Sequence, residues 1–484
     1  MMKLKLITQK DPNNNYGMSE PISKPIAKTK AVADLLNTIE ITDLIAVCHS
    51  LGWKQSNVEK EPQLKHFIVA IIDMLIKTAK ANDWHIINHT GFFYIFNGAY
   101  WVVLENDEVK HLLKDAAIRM GYTVIESRNN SFVDKLFRQA KQDGFFVDRN
   151  YVKQSIINLR NGSLVLSEEG IKLKAFDYRD FLTYQLDFEF DEKATNKLFL
   201  EYLDKVLPDS DTRRTLQQVA GYLFVKGLKM EKIFFLYGLG ANGKSVFFEV
   251  LSGVIGKENI SNFSLESLTD SNGYHRAKIK DKLVNYGTDI RLTKIDAGMF
   301  KTLASGEPIE ARLPYQEPFL MGDYAKLIFN VNKMESANIE HTHGFTRRLL
   351  IIPFTQTIPK AQQDRDLHKK ILANPAGVLN WIIEGAEEVI RNRDIFISDE
   401  CHQFKAQLLK EADSVAMFEE DIREKLKNAT YSKTVTDSYR DYKAYCHEVG
   451  YKKLGRGGFS KRMETLGFVK NKVSVGITLE KNYS

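Results

Sequence analysis

The sequence predicts an α/β fold, and three observations carry that prediction. A short apolar run from Ile233 to Tyr237 leads straight into the spacing G-x-x-x-x-G-K-S, Gly238 to Ser245. From 233 to 354, apolar strand-like runs alternate with helical spacing, as in a sheet covered by helices. The net charge of +6 over 484 residues is concentrated at one end: Tyr431 to Ser484 holds 11 Lys and Arg against 5 Asp and Glu. A compact basic segment beside an α/β core points to a polyanionic partner.

Composition bounds the rest. A chain of 484 residues with 43% hydrophobic and 27% charged residues is expected to form about two to four domains with a large core. No apolar stretch approaches the roughly 18 residues of a membrane span, so no membrane partner is expected. The start, MMKLKLITQKDPNNNYG, lacks the apolar core of a signal peptide. A cytoplasmic protein is the expectation. Cys48, Cys401 and Cys446 each precede a histidine, but they lie far apart and no C-x-x-C occurs. They read as coincidence and not as a metal site, and His341 and His343 read as part of a polar loop.

Along the chain, 1–29 is polar, Asn-rich and punctuated by proline, and is expected to be disordered. Apolar spacing predicts helices over 31–52 and 61–81. Strands follow over 85–104, turning at Asn97-Gly98, then a helix over 107–120 and a hairpin turning at Asn161-Gly162. Helical spacing over 194–226 leads into the glycine loop. Beyond the alternating core come helices over 376–391 and 400–426. The basic tail reads helix, helix, β-hairpin.

The glycine loop carries the chemistry. A buried strand delivers the chain to a turn, and Gly238, Gly240, Asn242 and Gly243 let backbone N–H groups close around phosphate oxygens. The helix starting near Lys244 points its positive dipole end at the same anion. Lys244 reaches the outer phosphates, and the Ser245 hydroxyl sits on Mg²⁺. A partner acid should end a second strand, and KLVNYGTD (282–289) offers Asp289, a single acid because Ile290 follows. A third run, 325–332, ends in Asn332, an amide suited to the γ-phosphate or the attacking water. Arg347 and Arg348 precede a fourth run, 349–354; either suits an arginine finger, often supplied by a neighbouring subunit. Between the second and third strands lie Lys301, Arg312 and Tyr315, cations for phosphate and a ring for a base of single-stranded nucleic acid.

Taken in order, INLRNGSL, LTYQLDFEFDEKA, LQQVAGYL, FFLYGLGANGKSVF, the Asp289 strand, LASGEPIEARLPYQEPF, KLIFNVN, FTRRLLIIPF and PAGVLNWIIEG resemble superfamily 3 helicases. The likeness is to the phage and plasmid primase-helicase group, related to poxvirus primase-helicase ATPases, over about 156–390. It implies an AAA+-like P-loop ATPase core in a homo-hexameric ring that hydrolyses ATP with Mg²⁺ and moves along DNA, usually 3′ to 5′. It also implies Asp289 as the second-motif acid, Asn332 as sensor, Arg347 or Arg348 as finger, and Lys301 with the Arg312–Tyr315 hairpin as the DNA contact. Paired acids are common at the second motif, and here there is one. The segment 1–155 shows neither a zinc-type cysteine set nor a paired-acid polymerase signature, so a separate primase or polymerase is expected to supply priming.

The tail resembles the winged-helix ends of these proteins. Phe459, Met463 and Leu466 have the spacing of a core face, and Lys461 and Arg462 are expected to be exposed on the recognition helix. Arg456 is a further candidate DNA contact, and Lys470 and Lys472 are expected on the wing, all facing DNA phosphates. The expected organisation is 1–29 disordered, 30–190 an α+β N-terminal domain, 191–228 a helical collar, 229–395 the ATPase domain, 396–430 a helical linker and 431–484 the winged helix. The implied function is an ATP-dependent helicase acting on single-stranded and forked DNA. An ATP-controlled origin-binding or remodelling regulator would share the motifs but would keep its DNA function when the arginines are removed.

Overall fold

The computed structural model describes residues 28–56, 59–82, 84–89, 91–143, 154–288, 295–314, 317–332, 342–426, 429–474 and 476–483. Contacts divide the chain into Met1–Asp191 and Glu192–Ser484. Residues 1–27 of the segment expected to be disordered lie outside the described residues, whereas 28 and 29 already belong to the first helix. Among the described residues no helix is long and apolar enough to cross a membrane.

The first unit begins with α1 (Lys28–Asn37), α2 (Leu44–Ser50) and α3 (Leu64–Ala81). The single helix expected over 31–52 is therefore two. The run Thr38-Ile39-Glu40-Ile41-Thr42 is rich in β-branched residues, which disfavour helix. Asp43 then restarts the helix by accepting from the backbone N–H of Ile45 and Ala46, both at 3.0 Å. The antiparallel strands β1 (Ile86–His89), β2 (Phe92–Phe96) and β3 (Trp101–Leu104) follow in spatial order. Next come α4 (Asn106–Arg119), α5 (Val124–Ser127) and α6 (Asn130–Asp143); the last two were not expected. One core joins Leu35, Ile71, Ile95, Leu113 and Leu136 from these helices and β2. The unit closes with a meander of β4 (Ser155–Leu159), β5 (Gly162–Ser167) and β6 (Gly170–Lys174).

The second unit opens with α7 (Lys197–Val206) and α8 (Ser210–Tyr222). The chain breaks at Leu207-Pro208, and Asp209 caps α8 through the Thr212 N–H at 2.7 Å. Then follow β7 (Ile233–Tyr237), α9 (Lys244–Ile255), β8 (Ile260–Ser261), α10 (Leu265–Leu268), α11 (Tyr274–Ala277), β9 (Val284–Gly287) and α12 (Ala297–Ser305). A hairpin of β10 (Ile309–Ala311) and β11 (Phe319–Met321) precedes β12 (Lys326–Val331), α13 (His343–Thr346) and β13 (Leu349–Pro353). The helices α14 (Leu367–Leu372) and α15 (Pro375–Asn392) end this part. Five strands form one sheet in the order β13-β7-β12-β9-β8, every pairing parallel. Such strands are buried on both faces, which is why Ile233–Leu236 and Leu349–Ile352 are continuous apolar runs at 0–1% exposure. The helix α8 lies directly on α15: a Cβ on Gly385 would stand 2.2 Å from the Gln217 carbonyl oxygen, so the glycine is needed for the approach.

The remainder is α16 (Asp399–Glu411), α17 (Ser414–Leu426), β14 (Thr430–Thr434), α18 (Val435–Val449), α19 (Arg456–Thr465), β15 (Val469–Val473) and β16 (Gly476–Asn482). One helix was expected over 400–426. Asp413 divides it by capping α17, accepting from the N–H of Val415 and Ala416 at 3.1 Å. The tail strands form an antiparallel sheet ordered β14-β16-β15, with β14 an addition to the expected hairpin. Phe418 of α17, Tyr442 of α18 and Phe459 and Met463 of α19 share its core. The molecule is thus mixed α/β with a parallel sheet.

Candidate functional site

The C-terminal ends of β7, β12, β9 and β13 lie along one edge of the parallel sheet, where open α/β sheets bind ligands. Gly238 follows β7 there, and its N–H donates to the Val331 carbonyl at 3.0 Å. No side chain fits at Gly238: a Cβ would stand 1.8 Å from Asn242 Nδ2 and 2.6 Å from the Phe354 oxygen. Asn242 Nδ2 donates to that same oxygen at 3.0 Å, and the Ile358 N–H donates to Ala241 O at 2.7 Å. The segment after β13 thus braces the loop from one side. Gly240 and Gly243 take φ values of 117° and 89°, which side-chain-bearing residues rarely adopt.

Lys244 opens α9 and is only 5% exposed. Its ammonium donates to Gly238 O at 2.6 Å and Asn242 Oδ1 at 3.0 Å, so the charge is held inside the curl of the loop. Ser245 is exposed in the first turn of the helix. The N–H groups of a helix's first turn, the helix dipole and one ammonium are chemically suited to a phosphate chain. Tyr202, on α7, donates its hydroxyl to Gly243 O at 2.8 Å. Nothing in the local pattern marked this residue, since the contact spans 41 positions.

Beside the loop lies a cleft of about 260 Å³. Its walls are the loop itself, Thr355 and Thr357 after β13, and Phe404, Gln407 and Glu411 of α16. Tyr237 and Phe404 pack at 4.9 Å between ring centroids. Burial, and next the Glu411 carboxylate, raise the Tyr237 phenol above its ordinary value. An apolar, aromatic wall with a few polar groups suits the organic part of a ligand whose phosphates occupy the loop. The α16 residues escaped sequence reading because they come from a helix more than 150 positions downstream of the loop.

Asn332 directly follows β12, whose Val331 is paired with Tyr237; it is exposed beside the loop. Asp289 lies outside the described residues, two positions past Gly287, the end of β9. Mg²⁺ takes few protein ligands and keeps water and phosphate oxygens, so Ser245 on the phosphate side fits it. Among the described residues no group of three or more His, Cys, Asp or Glu could hold a metal.

The two arginines lie at the other end of the sheet. The Ile233 N–H, at the start of β7, donates to Arg348 O at 2.9 Å. Five residues of β7 then separate them from the loop, about 16 Å at strand rise. Arg347 is 45% exposed and paired with Glu231 at 2.7 Å. Arg348 is 12% exposed and donates to Gly344 O at 2.5 Å and Ser305 Oγ at 2.9 Å. Lys232 donates to Arg347 O at 2.6 Å. Burial, and next Lys232, push the Lys405 ammonium down to about 8.

The hairpin β10–β11 projects Arg312, which is exposed with its guanidinium 5.9 Å from the Tyr274 ring centroid. Tyr315 lies outside the described residues. Lys301 belongs to α12 and not to the hairpin, its Cε 3.9 Å from a Cβ position on Gly344. In the tail, Lys461 and Lys472 are exposed. Arg456, also exposed, donates to Thr436 Oγ1 at 2.8 Å, and Lys470 pairs with Glu464 at 2.5 Å. Arg462 corrects its expected exposure: its Nε donates at 2.6 Å to Asp413, 3% exposed. The buried carboxylate draws this cation inward and makes it a structural tie.

Comparisons with known proteins agree with a helicase-like chain. Residues 41–208 match the family described as D5 N terminal like, and 410–483 the one described as Poxvirus D5 protein-like. Residues 236–348 match a family of unknown function, DUF5906. A protein of Acanthamoeba polyphaga mimivirus named "Putative helicase L207/L206" is 24% identical over 278 residues, 52% of this chain. The match takes in only 28% of that protein. Two apo structures of the NrS-1 C-terminal region align with 86% of this chain and 99% of their own, at 11% and 10% identity and TM-scores of 0.47 and 0.43. The D5-type matches and the mimivirus relative show likeness to the primase-helicase group over parts of the chain.

Proposed function

We propose that the chain is an ATP-dependent DNA helicase for replication of a phage, plasmid or other mobile element. The observation that carries the reading is the separation of phosphate loop and arginines across one parallel sheet. A loop that binds phosphate at one edge and an exposed arginine at the other form a complete ATP site only where two copies meet head to tail. A head-to-tail contact that closes makes a ring; six subunits of an AAA+-like P-loop ATPase are proposed.

In each site the backbone of Gly238–Gly243 and Lys244 hold the phosphates, and the base lies along Tyr237, Phe404, Gln407 and Glu411. Ser245 and Asp289 are the residues that would hold Mg²⁺, which would supply charge neutralisation at the phosphates. Asn332 orients the γ-phosphate or the water. Arg347, the more exposed of the pair, is the finger reaching the neighbour's ATP. Arg312 of the hairpin and Tyr315, which falls between β10 and β11 in sequence, grip single-stranded DNA, with translocation 3′ to 5′. The tail has a helix, a strand, two helices and a two-stranded wing, which supports a winged-helix reading in which Arg456, Lys461, Lys470 and Lys472 contact duplex phosphates at a fork. A separate primase or polymerase provides priming.

The test is ATP turnover by the full chain with and without single-stranded DNA, alongside its mass in ATP, with Lys244→Ala as control. DNA-stimulated turnover by a six-fold assembly, lost in the variant, is expected. A monomer without DNA-dependent turnover overturns the reading.

A further inference from the structure

We propose that Tyr202 is a positioning residue for phosphate binding, its hydroxyl fixing the Gly243–Lys244 peptide so that the Lys244 N–H faces the bound phosphate. The inference rests on the phosphate-loop reading above. Tyr202 stands on α7, 4% exposed, and donates to Gly243 O at 2.8 Å. That oxygen also accepts the first hydrogen bond of α9, from the Phe247 N–H at 3.1 Å. In a planar trans peptide, C=O and N–H point in opposite directions. Two donors holding the Gly243 carbonyl toward α7 and the body of α9 therefore aim the Lys244 N–H the other way, out of the helix and into the loop.

A second contact fixes the same glycine. A Cβ on Gly243 would stand 2.6 Å from Val206 Cγ1 and 3.2 Å from Tyr202 Cε2, so α7 meets both its carbonyl and its α-carbon. Burial raises the Tyr202 phenol far above its ordinary value, so the hydroxyl stays a donor at any working pH. Burial, and next Tyr202 itself, raise the neighbouring phenol of Tyr286 as well. Tyr286 Oη donates to Asn330 Oδ1 at 3.1 Å, two positions before Asn332. Of these two buried phenols, one is bonded to the loop and the other to β12.

The test compares full-length Tyr202→Phe, Lys244→Ala and Phe199→Leu in binding inorganic tripolyphosphate and ATP. Tyr202→Phe keeps the ring and removes one hydrogen bond. It is expected to weaken both ligands alike, by roughly three- to tenfold, with kcat/KM for ATP falling by the same factor. Phe199 is on the same helix, its ring centroid 5.2 Å from that of Trp381. Its substitution should lower Tm and leave both binding constants unchanged. A Tyr202→Phe protein with altered Tm and unaltered tripolyphosphate binding, while Lys244→Ala loses it, overturns the role of Tyr202 alone. If Lys244→Ala also binds tripolyphosphate normally, the phosphate-loop reading fails, and this inference with it.

Discussion

Two adjacent arginines of identical chemistry sit in different surroundings, and substitution should separate them. Arg348 is inward-facing, with donors committed to Gly344 and Ser305. Arg348→Ala leaves two acceptors unpaired and should cost about 1–3 kcal/mol of stability, read by denaturant unfolding. Arg347 is half-exposed and pairs with Glu231 at the surface, where an ion pair contributes little. Arg347→Ala should therefore leave the midpoint within about 0.5 kcal/mol and ATP binding unchanged, while turnover falls by roughly a thousandfold or more. Turnover that survives Arg347→Ala would remove it as the finger. Lys405 offers a test of sign. Its folded pKa, pushed to about 8, lies below the ordinary lysine value of about 10.4. The unfolded chain binds more protons between those values, so this group's penalty is fully present below the window and fades as pH rises through it. Lys405→Met should raise Tm at pH 7, with the advantage shrinking by pH 10; an equal gain at both would exclude the titration.

Among the elements, the tail is tied to the preceding helix by buried polar contacts, Lys481 with Glu419 and Arg462 with Asp413. Asp413 caps α17 and binds Arg462 of α19. Arg462→Ala leaves that carboxylate buried without its cation, which should cost about 3–5 kcal/mol and raise amide exchange across α17 and α19 together. Lys461→Ala and Lys472→Ala, at exposed sites, should leave exchange unchanged. Each should lower the slope of log K for DNA against log salt by about 0.9; slopes unchanged in both would take α19 and the wing off the DNA. Which parts were legible in sequence follows from the range of the interactions. The strands β7 and β13 and the start of α9 announce themselves through continuous apolar runs and glycine spacing, all local. The break before α17 was hidden, because the Asp413 cap interrupts an otherwise continuous helical pattern, whereas the β-branched run before α2 and Pro208 before α8 are local signals that apolar spacing alone passes over. The strand β14 exists only because β16 pairs with it about 50 positions later. Arg462, Tyr202 and the α16 wall of the cleft take their roles from contacts equally remote, and no local spacing signals them.

At the scale of the whole molecule, the part that carries the site matches a family of unknown function over 236–348, so geometry has to carry what the name does not. The sheet keeps Lys244 and Arg347 about 16 Å of strand apart, and no rearrangement inside one copy brings them together without breaking the β13–β7 pairing. Catalysis by both residues therefore requires a second copy, and complementation tests this directly. Lys244→Ala and Arg347→Ala should each be inactive alone. Mixed in equal amounts, they create head-to-tail interfaces of four kinds. Roughly one in four has an intact Lys244 facing an intact Arg347, so turnover should return to about a quarter of wild type if each site fires by itself. Recovery well below that, with a mixed assembly of unchanged mass, would mean that sites fire only in concert around the ring. Recovery of nothing, with the mixed assembly formed, would place both residues in the same site of one copy, and the head-to-tail reading would fall.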